Sequence, residues 1–249
     1  MPELKPEELL IDVVLRLISG AKHVAVGANS PIPAAAAFLA QTLGGGRPYV
    51  SLQQSPKHNL FTDGGRELFD AAGQGRIDVF FLSGAQIDGQ GNINLVAVGD
   101  YARPKARFPG SFGSAYLYYV VPKVILFRLE HTRRTLVEQV DFISAPGTSP
   151  PNVYRRGGPI ALVTPLCHFG FDRARARFRL ASVHPGHSVE EVLDQTGFAF
   201  DRPDVVPLTP APSADMLRLL RGTVAPQLAR IYPKFAETVF GIPISPVKA

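Results

Sequence analysis

The chain has 249 residues, of which 45% are hydrophobic, and it carries a formal net charge of +5. This length can bury a sizeable core, and the composition is typical of an ordinary globular protein. No apolar run approaches the roughly 20 residues that cross a bilayer, and the N-terminus has no signal-peptide pattern, so we expect a cytoplasmic protein without membrane contact.

The first predicted elements alternate between helix and strand. Apolar residues at helical spacing predict an amphipathic helix over residues 9–18, and a short strand follows over 22–26. A turn-rich segment over 27–33 then leads into an alanine-rich helix over 34–43. The order of these elements is that of a strand, loop and helix unit.

A second unit of this kind begins with a strand over residues 49–52. A polar loop over 53–63, a short helix over 66–71 and a buried strand over 77–82 come next. Ser188 and Glu191 have the spacing of a capping box, which predicts a helix that starts at Ser188. The remaining predicted elements are strands over 123–127, 160–164 and 178–183 and a helix over 216–220.

This alternation predicts an α/β fold, with an open and largely parallel sheet flanked by helices. The simplest organisation is a single domain over residues 1–249, in which residues 201–249 form a peripheral, proline-rich C-terminal arm.

The strand over 77–82 ends abruptly in small and amide-bearing residues, which marks a candidate site. Open α/β sheets bind ligands beyond the carboxyl ends of their parallel strands. Gly89 and Gly91 allow the backbone to turn or to approach a ligand, and Asp88 and Asn92 can hydrogen-bond nearby groups. The alternative interpretation is a tight turn held by hydrogen bonds from its own Asp and Asn side chains.

Two motifs connect this stretch to a known family. Residues 84–94 read Gly-Ala-Gln-Ile-Asp-Gly-Gln-Gly-Asn-Ile-Asn, and residues 105–115 read Lys-Ala-Arg-Phe-Pro-Gly-Ser-Phe-Gly-Ser-Ala. The pair resembles linked signatures of family I coenzyme A transferases, and is most similar to β subunits of the glutaconate CoA-transferase group. The resemblance continues over 131–147 and 181–192 and ends near Arg221.

The resemblance implies an open α/β fold and an active site shared with a separate α subunit, in an assembly that we expect to be α2β2. It also implies acyl-CoA substrates, with coenzyme A entering as part of the substrate and no other cofactor. In the mechanism that it implies, a glutamate attacks the thioester, the carbon–sulfur bond breaks, and an acyl-glutamyl anhydride and free CoA thiolate form.

The resemblance implies that this glutamate lies at the end of the second strand, where Gln54 is the best match. A neutral amide is a poor nucleophile, although it can donate and accept hydrogen bonds. The next glutamate is Glu67, in the first turn of a predicted helix, where a solvent-facing carboxylate favoured by the helix dipole is the simpler interpretation.

A second difference from the family pattern lies in the turn that, in the family, presents backbone N–H groups to the thioester oxygen. The family pattern there is Gly-Ser-Gly-Gly-Ala, whereas this chain has Gly110, Ser111, Phe112, Gly113 and Ser114. A large side chain resists positive φ. The turn has therefore changed shape, or Phe112 lines an apolar acyl pocket, or it packs as an ordinary loop residue.

We assign substrate binding to Asn29, Gln86, Asp88, Asn92 and Phe112, and catalysis to Gln54 and His58. His58 lies in the polar loop that follows Gln54, although a solvated loop histidine is the simpler interpretation.

Several other residues carry weaker signals. Cys167 is expected to be a small buried residue, whereas a loop can bring His168 to the site. His184 is expected to be a turn residue bonded to the backbone. The six histidines and one cysteine have no zinc-ligand spacing, so we expect no metal. Arg133, Arg134 and Lys123 are attributed to a solvated face or to an intersubunit salt bridge, although they can meet CoA phosphates.

The 26 basic residues are scattered, so phosphate-bearing small molecules suit the charge and we expect no nucleic-acid partner. The first hypothesis is a CoA-transferase-like β subunit that acts on an acyl-CoA thioester. The second is a carbon–carbon bond hydrolase that cleaves a ring, or a decarboxylase, of an acyl-CoA intermediate. The third is a noncatalytic β subunit that shapes a pocket for chemistry on α.

Overall fold

The computed structural model describes residues 3–244. Its helices are α1 (Pro6–Leu17), α2 (Pro31–Leu43), α3 (Gly64–Gly73), α4 (Ser114–Val120), α5 (Val189–Gln195), α6 (Ala214–Leu219), α7 (Ala225–Ala229) and α8 (Pro233–Phe240), with a π-helical segment, Leu220–Val224, between α6 and α7. Its strands are β1 (His23–Val26), β2 (Tyr49–Leu52), β3 (Val79–Leu82), β4 (Gln86–Ile87), β5 (Ile93–Asn94), β6 (Ala97–Val98), β7 (Ala106–Arg107), β8 (Lys123–Phe127), β9 (Pro159–Val163), β10 (Cys167–Asp172) and β11 (Arg177–Val183).

The chain divides into two compact units, which are described separately. Unit 1 contains the residues up to Gly64 and those from Pro210 onward, and unit 2 contains Gly65–Thr209. The proposed organisation as one domain with a peripheral arm over 201–249 stays a prediction.

Unit 1 is built on α2. Ala34 to Ala37 are fully buried, and side chains this small let α1, β2 and α7 approach the helix closely. β1 and β2 pair in parallel, with His23 opposite Tyr49 and Val26 opposite Leu52. Parallel pairing brings the carboxyl ends of the two strands to the same edge. The turns after Val26 and after Leu52 are therefore neighbours.

A buried ion pair connects the two chain segments of unit 1. Glu8 on α1 is 1% exposed, and Arg221 donates to its two carboxylate oxygens over 2.6 and 2.7 Å. Such a bidentate pair satisfies a carboxylate that would otherwise be costly to bury. The C-terminal helices therefore belong to the core of this unit.

Five strands of unit 2 belong to the large sheet and follow the order β11-β10-β9-β8-β3, and its other strands form the pairs β4-β5 and β6-β7. β3, β8 and β9 are parallel, and β10 and β11 are antiparallel additions at one side. A phenylalanine cluster packs on the antiparallel part, with ring centroids 4.9 to 6.4 Å apart, and consists of Phe169, Phe171, Phe178, Phe198 and Phe200. Parallel strands flanked by helices confirm the predicted α/β class.

Most predicted elements are confirmed within a few residues, and β8 has the predicted bounds. The predicted capping interaction is also present, since Ser188 Oγ accepts from the Glu191 N–H. The sequence left open that a loop brings His168 to the site, whereas the structure places His168 in β10. No helix among residues 3–244 is long and apolar enough to span a membrane.

Candidate functional site

Gln54 lies in the turn that follows β2, where the sequence places the family's attacking carboxylate. Its side chain is exposed, and its Oε1 accepts a 2.7 Å hydrogen bond from the backbone N–H of Asn29. Asn29 follows β1 and has a φ of 54°, a left-handed conformation that Asn tolerates better than most residues. The structure therefore brings two predicted site residues, Asn29 and Gln54, into contact.

The hydrogen bond fixes the orientation of the Gln54 amide. Because a backbone N–H can only donate, the atom that faces Asn29 is Oε1, and Nε2 is the end of the amide that can donate to another group. In the part of the chain that is described, Nε2 donates to no protein atom. Gln54 can thus donate to a carbonyl oxygen or to water, but it has no carboxylate with which to form an anhydride.

His58 lies on the same turn, and the two residues line one cavity of about 320 Å³, which we call the Gln54 cavity. The His58 ring packs edge-on against Phe38, with centroids 4.8 Å apart. Burial lowers the pKa of His58, and the neighbouring Lys57 lowers it further. The imidazole is therefore mostly neutral at pH 7, which suits a base or a hydrogen-bonding group.

The opposite wall of the Gln54 cavity was missed by the sequence analysis. Gln227, Arg230 and Ile231 line it, and they lie more than 160 positions after Gln54 in the chain. The sequence predicted a helix over 216–220 but gave no signal that later residues reach the turn after β2. Lys57 was inside the polar loop and was not singled out.

In unit 2, Asp88 and Asn92 form a closed hydrogen-bond network. Asp88 Oδ1 accepts from the backbone N–H groups of Gln90 and Asn92 at 3.0 Å each, and Oδ2 accepts from Asn92 Nδ2 at 3.0 Å. Asn92 Oδ1 accepts from the Gly147 N–H at 3.0 Å. These side chains are buried and hold the loop, which is the alternative interpretation given for this stretch.

The side chain of Gln86 is also hydrogen-bonded to other groups of unit 2. Its Oε1 accepts from Asn94 Nδ2 at 2.7 Å and from the Asp141 N–H at 3.0 Å, while its Nε2 donates to Asp141 Oδ2 at 3.1 Å. Gln86 is 5% exposed. Substrate binding by Gln86, Asp88 and Asn92 stays a prediction, but their hydrogen-bonding groups are already committed to the protein.

The tip of the 88–92 loop also lies away from the carboxyl ends of the strands. A side chain at Gly91 would meet Pro159 and the Phe171 ring at 3.2 Å. Pro159 begins β9, which is parallel to β8, so the tip lies beside the amino end of this strand. After β3 ends, the chain therefore runs back to the edge of the sheet where β9 begins. The order of residues in the sequence did not predict this path.

The carboxyl ends of β3 and β8 have a separate cavity of about 560 Å³, which we call the β3–β8 cavity. Gly84 and Ala85 line it after β3, and Arg128 and Glu130 line it after β8. Glu130 accepts from Arg134 over 2.6 Å and from Arg128 over 3.0 Å, and the Arg134 hydrogen bond lowers the pKa of Glu130.

The predicted oxyanion turn reaches the β3–β8 cavity only through Gly110. Gly110 has a φ of 103°, and the Ser114 N–H donates to the Ser111 carbonyl at 2.8 Å. Gly113 precedes α4, and Ser114 begins it with a buried Oγ that has no partner among the described residues. The role of this turn in binding a thioester oxygen stays a prediction.

Phe112 adopts the backbone conformation that its size disfavours. Its φ is 45°, its side chain is 82% exposed, and its ring lies 5.4 Å from that of Phe69 between centroids. The turn therefore places Phe112 in a left-handed conformation at the position where the family pattern has glycine. The Phe112 ring rests against Phe69 at the surface and does not line the β3–β8 cavity.

Cys167 and His184 are buried, and His168 is partly buried. Burial raises the pKa of Cys167 to about 12, so the thiol is neutral and packs as predicted. His184 bonds the Thr164 carbonyl at 3.0 Å and Thr209 Oγ1 at 2.8 Å, as expected for a residue bonded to the backbone. His168 is half-buried, and burial lowers its pKa to about 4. Among residues 3–244, no cluster of three or more His, Cys, Asp or Glu has the geometry to hold a metal ion.

A family model described as Coenzyme A transferase matches residues 46–195. The chain belongs to the coenzyme A transferase family. It is 36% identical over 157 residues to the B subunit of 3-oxoadipate CoA-transferase from Pseudomonas knackmussii, which covers 61% of this chain and 60% of that protein. It is also 34% identical over 160 residues to the B subunit of glutaconate CoA-transferase from Acidaminococcus fermentans, a match that covers 61% of this chain and 59% of that protein. The matches thus span about three fifths of these relatives.

Two further similar proteins have names that describe other reactions. The cholesterol ring-cleaving hydrolase IpdB subunit of Rhodococcus jostii is 31% identical over 175 residues, with 66% of each chain covered. The crystal structure of R. jostii IpdAB superposes with a TM-score of 0.78 at 25% identity, covering 92% of this chain and 98% of that chain. The crystal structure of the decarboxylase AibA/AibB has the same fold. It superposes with a TM-score of 0.74 at 24% identity, covering 96% of this chain and 100% of that chain.

Proposed function

We propose that this chain is the β subunit of a heteromeric, CoA-transferase-like enzyme that acts on an acyl-CoA thioester. The active complex is α2β2, and coenzyme A enters as part of the substrate without a further cofactor. Membership of the coenzyme A transferase family supports the assignment, as do relatives named as B subunits. The enzyme works in the cytoplasm.

The observation that carries the proposal is the orientation of Gln54. Its Oε1 is held by the Asn29 N–H, so the Nε2 group donates toward a substrate oxygen beside the Gln54 cavity. A fixed N–H donor stabilises negative charge that develops on a carbonyl oxygen. The β subunit then binds and polarises the thioester, and a carboxylate of the α subunit performs the attack in CoA transfer.

The second candidate is hydrolysis of a carbon–carbon bond, or decarboxylation, in an acyl-CoA. Both reactions leave the thioester intact and need no acyl-enzyme anhydride, so an amide at position 54 is compatible with them. Similarity to the ring-cleaving hydrolase IpdB subunit and to the decarboxylase AibA/AibB favours this candidate.

Intact-mass measurement on the co-purified subunits separates the two. We expect that incubation with acyl-CoA gives turnover while the β chain keeps its unmodified mass. An acyl or CoA adduct on α supports transfer, and turnover with neither chain modified supports the second candidate. An adduct on the wild-type β chain contradicts the role proposed for Gln54.

A third candidate, a noncatalytic β subunit, makes a different prediction. If β only shapes the complex, Gln54→Ala and Phe112→Ala leave turnover unchanged. We expect Gln54→Ala to lower kcat by about 100-fold or more, the scale of one lost donor to a developing oxyanion.

A further inference from the structure

Unit 2 carries a continuous run of aromatic side chains along α3, α4 and the loop that precedes β9. The ring of Phe112 lies 5.4 Å from that of Phe69, and the Phe69 ring lies 5.8 Å from that of Tyr116, between centroids. Tyr116 and Tyr119 are three residues apart on α4, so they share one face of this helix. The Tyr119 hydroxyl donates to the Tyr154 carbonyl. We call these five residues the aromatic surface.

The aromatic surface faces solvent. Tyr154 is 84% exposed, Tyr116 is 43% exposed and Phe112 is mostly exposed. The hydroxyls of Tyr116 and Tyr154 form no hydrogen bond with another residue of the part of the chain that is described. Tyrosine and phenylalanine are the residues that are enriched at the centre of protein–protein interfaces. The composition of the aromatic surface is therefore that of a docking site for a protein.

The backbone beneath these rings holds them in place. A Cβ added at Gly113 would overlap the ring of Phe69, and one added at Gly73 would overlap the hydroxyl of Tyr116. Phe112 has a φ of 45°, a conformation that a bulky residue adopts only at a cost. A surface whose side chains are already fixed loses less conformational entropy when a partner binds.

The position of the aromatic surface indicates which protein covers it. Phe112 belongs to the turn over residues 110–114, and Gly110 at the start of this turn lines the β3–β8 cavity. The family pattern implies that this turn belongs to an active site shared with the α subunit. Relatives of this chain are B subunits of enzymes that also have an A subunit. The aromatic surface is thus continuous with the edge at which the α subunit is expected.

We propose that the aromatic surface docks the α subunit, with Phe112 and Tyr116 as its anchors. The matching face of α is apolar at its centre and has hydrogen-bond acceptors for the tyrosine hydroxyls at its edge. Because the family pattern has glycine at position 112, the Phe112 ring adds a contact that is particular to this pair of subunits. This inference rests on the proposed function, since it assumes a heteromeric enzyme.

The test follows the dissociation of the co-purified complex on dilution by native mass spectrometry. Wild type is compared with Phe112→Gly/Tyr116→Ser, which removes two rings and leaves a residue that tolerates the left-handed turn. We expect the variant complex to release free β chain at a concentration about 30-fold higher or more. This shift corresponds to a loss of about 2 kcal/mol, the scale of one interface hot spot.

The control is Val205→Ser/Leu208→Ser, which changes two exposed apolar residues of unit 2 outside the aromatic surface. We expect it to dissociate as wild type does. Unchanged dissociation of Phe112→Gly/Tyr116→Ser overturns the inference, and a raised KM for acyl-CoA in that case would assign the rings to the substrate. Release of intact αβ pairs also overturns it, because the surface then joins two copies of the β chain.

A second measurement applies even if that variant fails to fold. Tyr116→p-benzoylphenylalanine is introduced into an otherwise wild-type β chain, and the complex is irradiated. We expect a cross-linked product with the summed mass of α and β. A product of two β chains, or no product from an intact complex, overturns the inference. If wild-type β forms no complex with α, the proposed function fails and the inference fails with it.

Discussion

The turn after β2 and the loop after β3 are both rich in polar residues, but they use them differently. Asp88 and Asn92 are buried, and their side chains bond backbone and side-chain groups of their own unit. Gln54 is exposed, uses one acceptor to bond Asn29, and borders a cavity with two unpaired cations. The comparison teaches that unsatisfied polar groups, and not the density of polar residues, mark the candidate site.

The largest expected effect is acid destabilisation of unit 2. Burial lowers the pKa of His131, His168 and His184 to about 4, below the usual histidine value of 6.5. The unfolded chain therefore takes up protons that the folded unit does not, so stability is intact above pH 6.5 and is lost as the pH falls toward 4. Each histidine contributes up to about 3 kcal/mol to this loss.

Native-state hydrogen exchange at pH 7 and pH 4.5, corrected for intrinsic rates, measures this by region. We expect the protection of β9, β10 and β11 amides to fall by several orders of magnitude. Amides of α1 and α2, in the unit without these histidines, should lose less. An equal loss of amide protection in both units would contradict the assignment of the acid sensitivity to the buried histidines of unit 2.

Next is Asp88→Ala, which removes the acceptor of the loop network. Two backbone N–H groups and Asn92 Nδ2 lose a charged partner in a buried site. We expect a loss of about 3 kcal/mol, which lowers the Tm by about 6–12 °C for a chain of this size. The chain has no tryptophan, so circular dichroism is the suitable probe.

Asp100→Ala is the matched control for that variant. Asp100 Oδ1 accepts from the Ala102 and Arg103 N–H groups in a turn of the same kind, but the turn is exposed. Water replaces the lost acceptor, so we expect a loss below about 1 kcal/mol. Similar losses in the two variants would contradict the distinction between a buried network and a surface turn.

Gln54→Ala should have a small effect on stability, in contrast to its effect on turnover. Only one hydrogen bond to an exposed backbone N–H disappears. We expect the free energy of unfolding to fall by less than about 1 kcal/mol. A loss similar to that of Asp88→Ala, measured by urea unfolding, would make Gln54 a structural residue.

The smallest expected change in stability is that caused by Phe112→Gly. Glycine removes the cost of a left-handed conformation, about 1–2 kcal/mol for a bulky residue, while the mostly exposed ring gives up its contact with Phe69. These terms offset each other, so we expect a net change within about 1 kcal/mol. A large loss of stability in thermal unfolding would show that the ring is part of the core.

The sequence predicted the alternation of strands and helices because hydrophobic periodicity and capping residues are local signals. The position of Gln54 after β2 was also predictable, since it depends on where one strand ends. The position of Asp88 was not, because the 88–92 loop crosses the sheet to Pro159, and chain order does not encode that path. Gln227 and Arg230 were missed because tertiary packing alone brings them to the turn.

The most direct test of the account restores a carboxylate at position 54. In the assembled complex, we expect Gln54→Glu to gain an acyl or CoA adduct on the β chain when incubated with an acyl-CoA, while wild type and Gln54→Ala gain none. Intact-mass spectrometry after rapid quenching measures the adduct. An adduct on the wild-type β chain, or unchanged turnover without any β adduct in Gln54→Glu, would contradict the claim that Gln54 occupies the position of the attacking carboxylate.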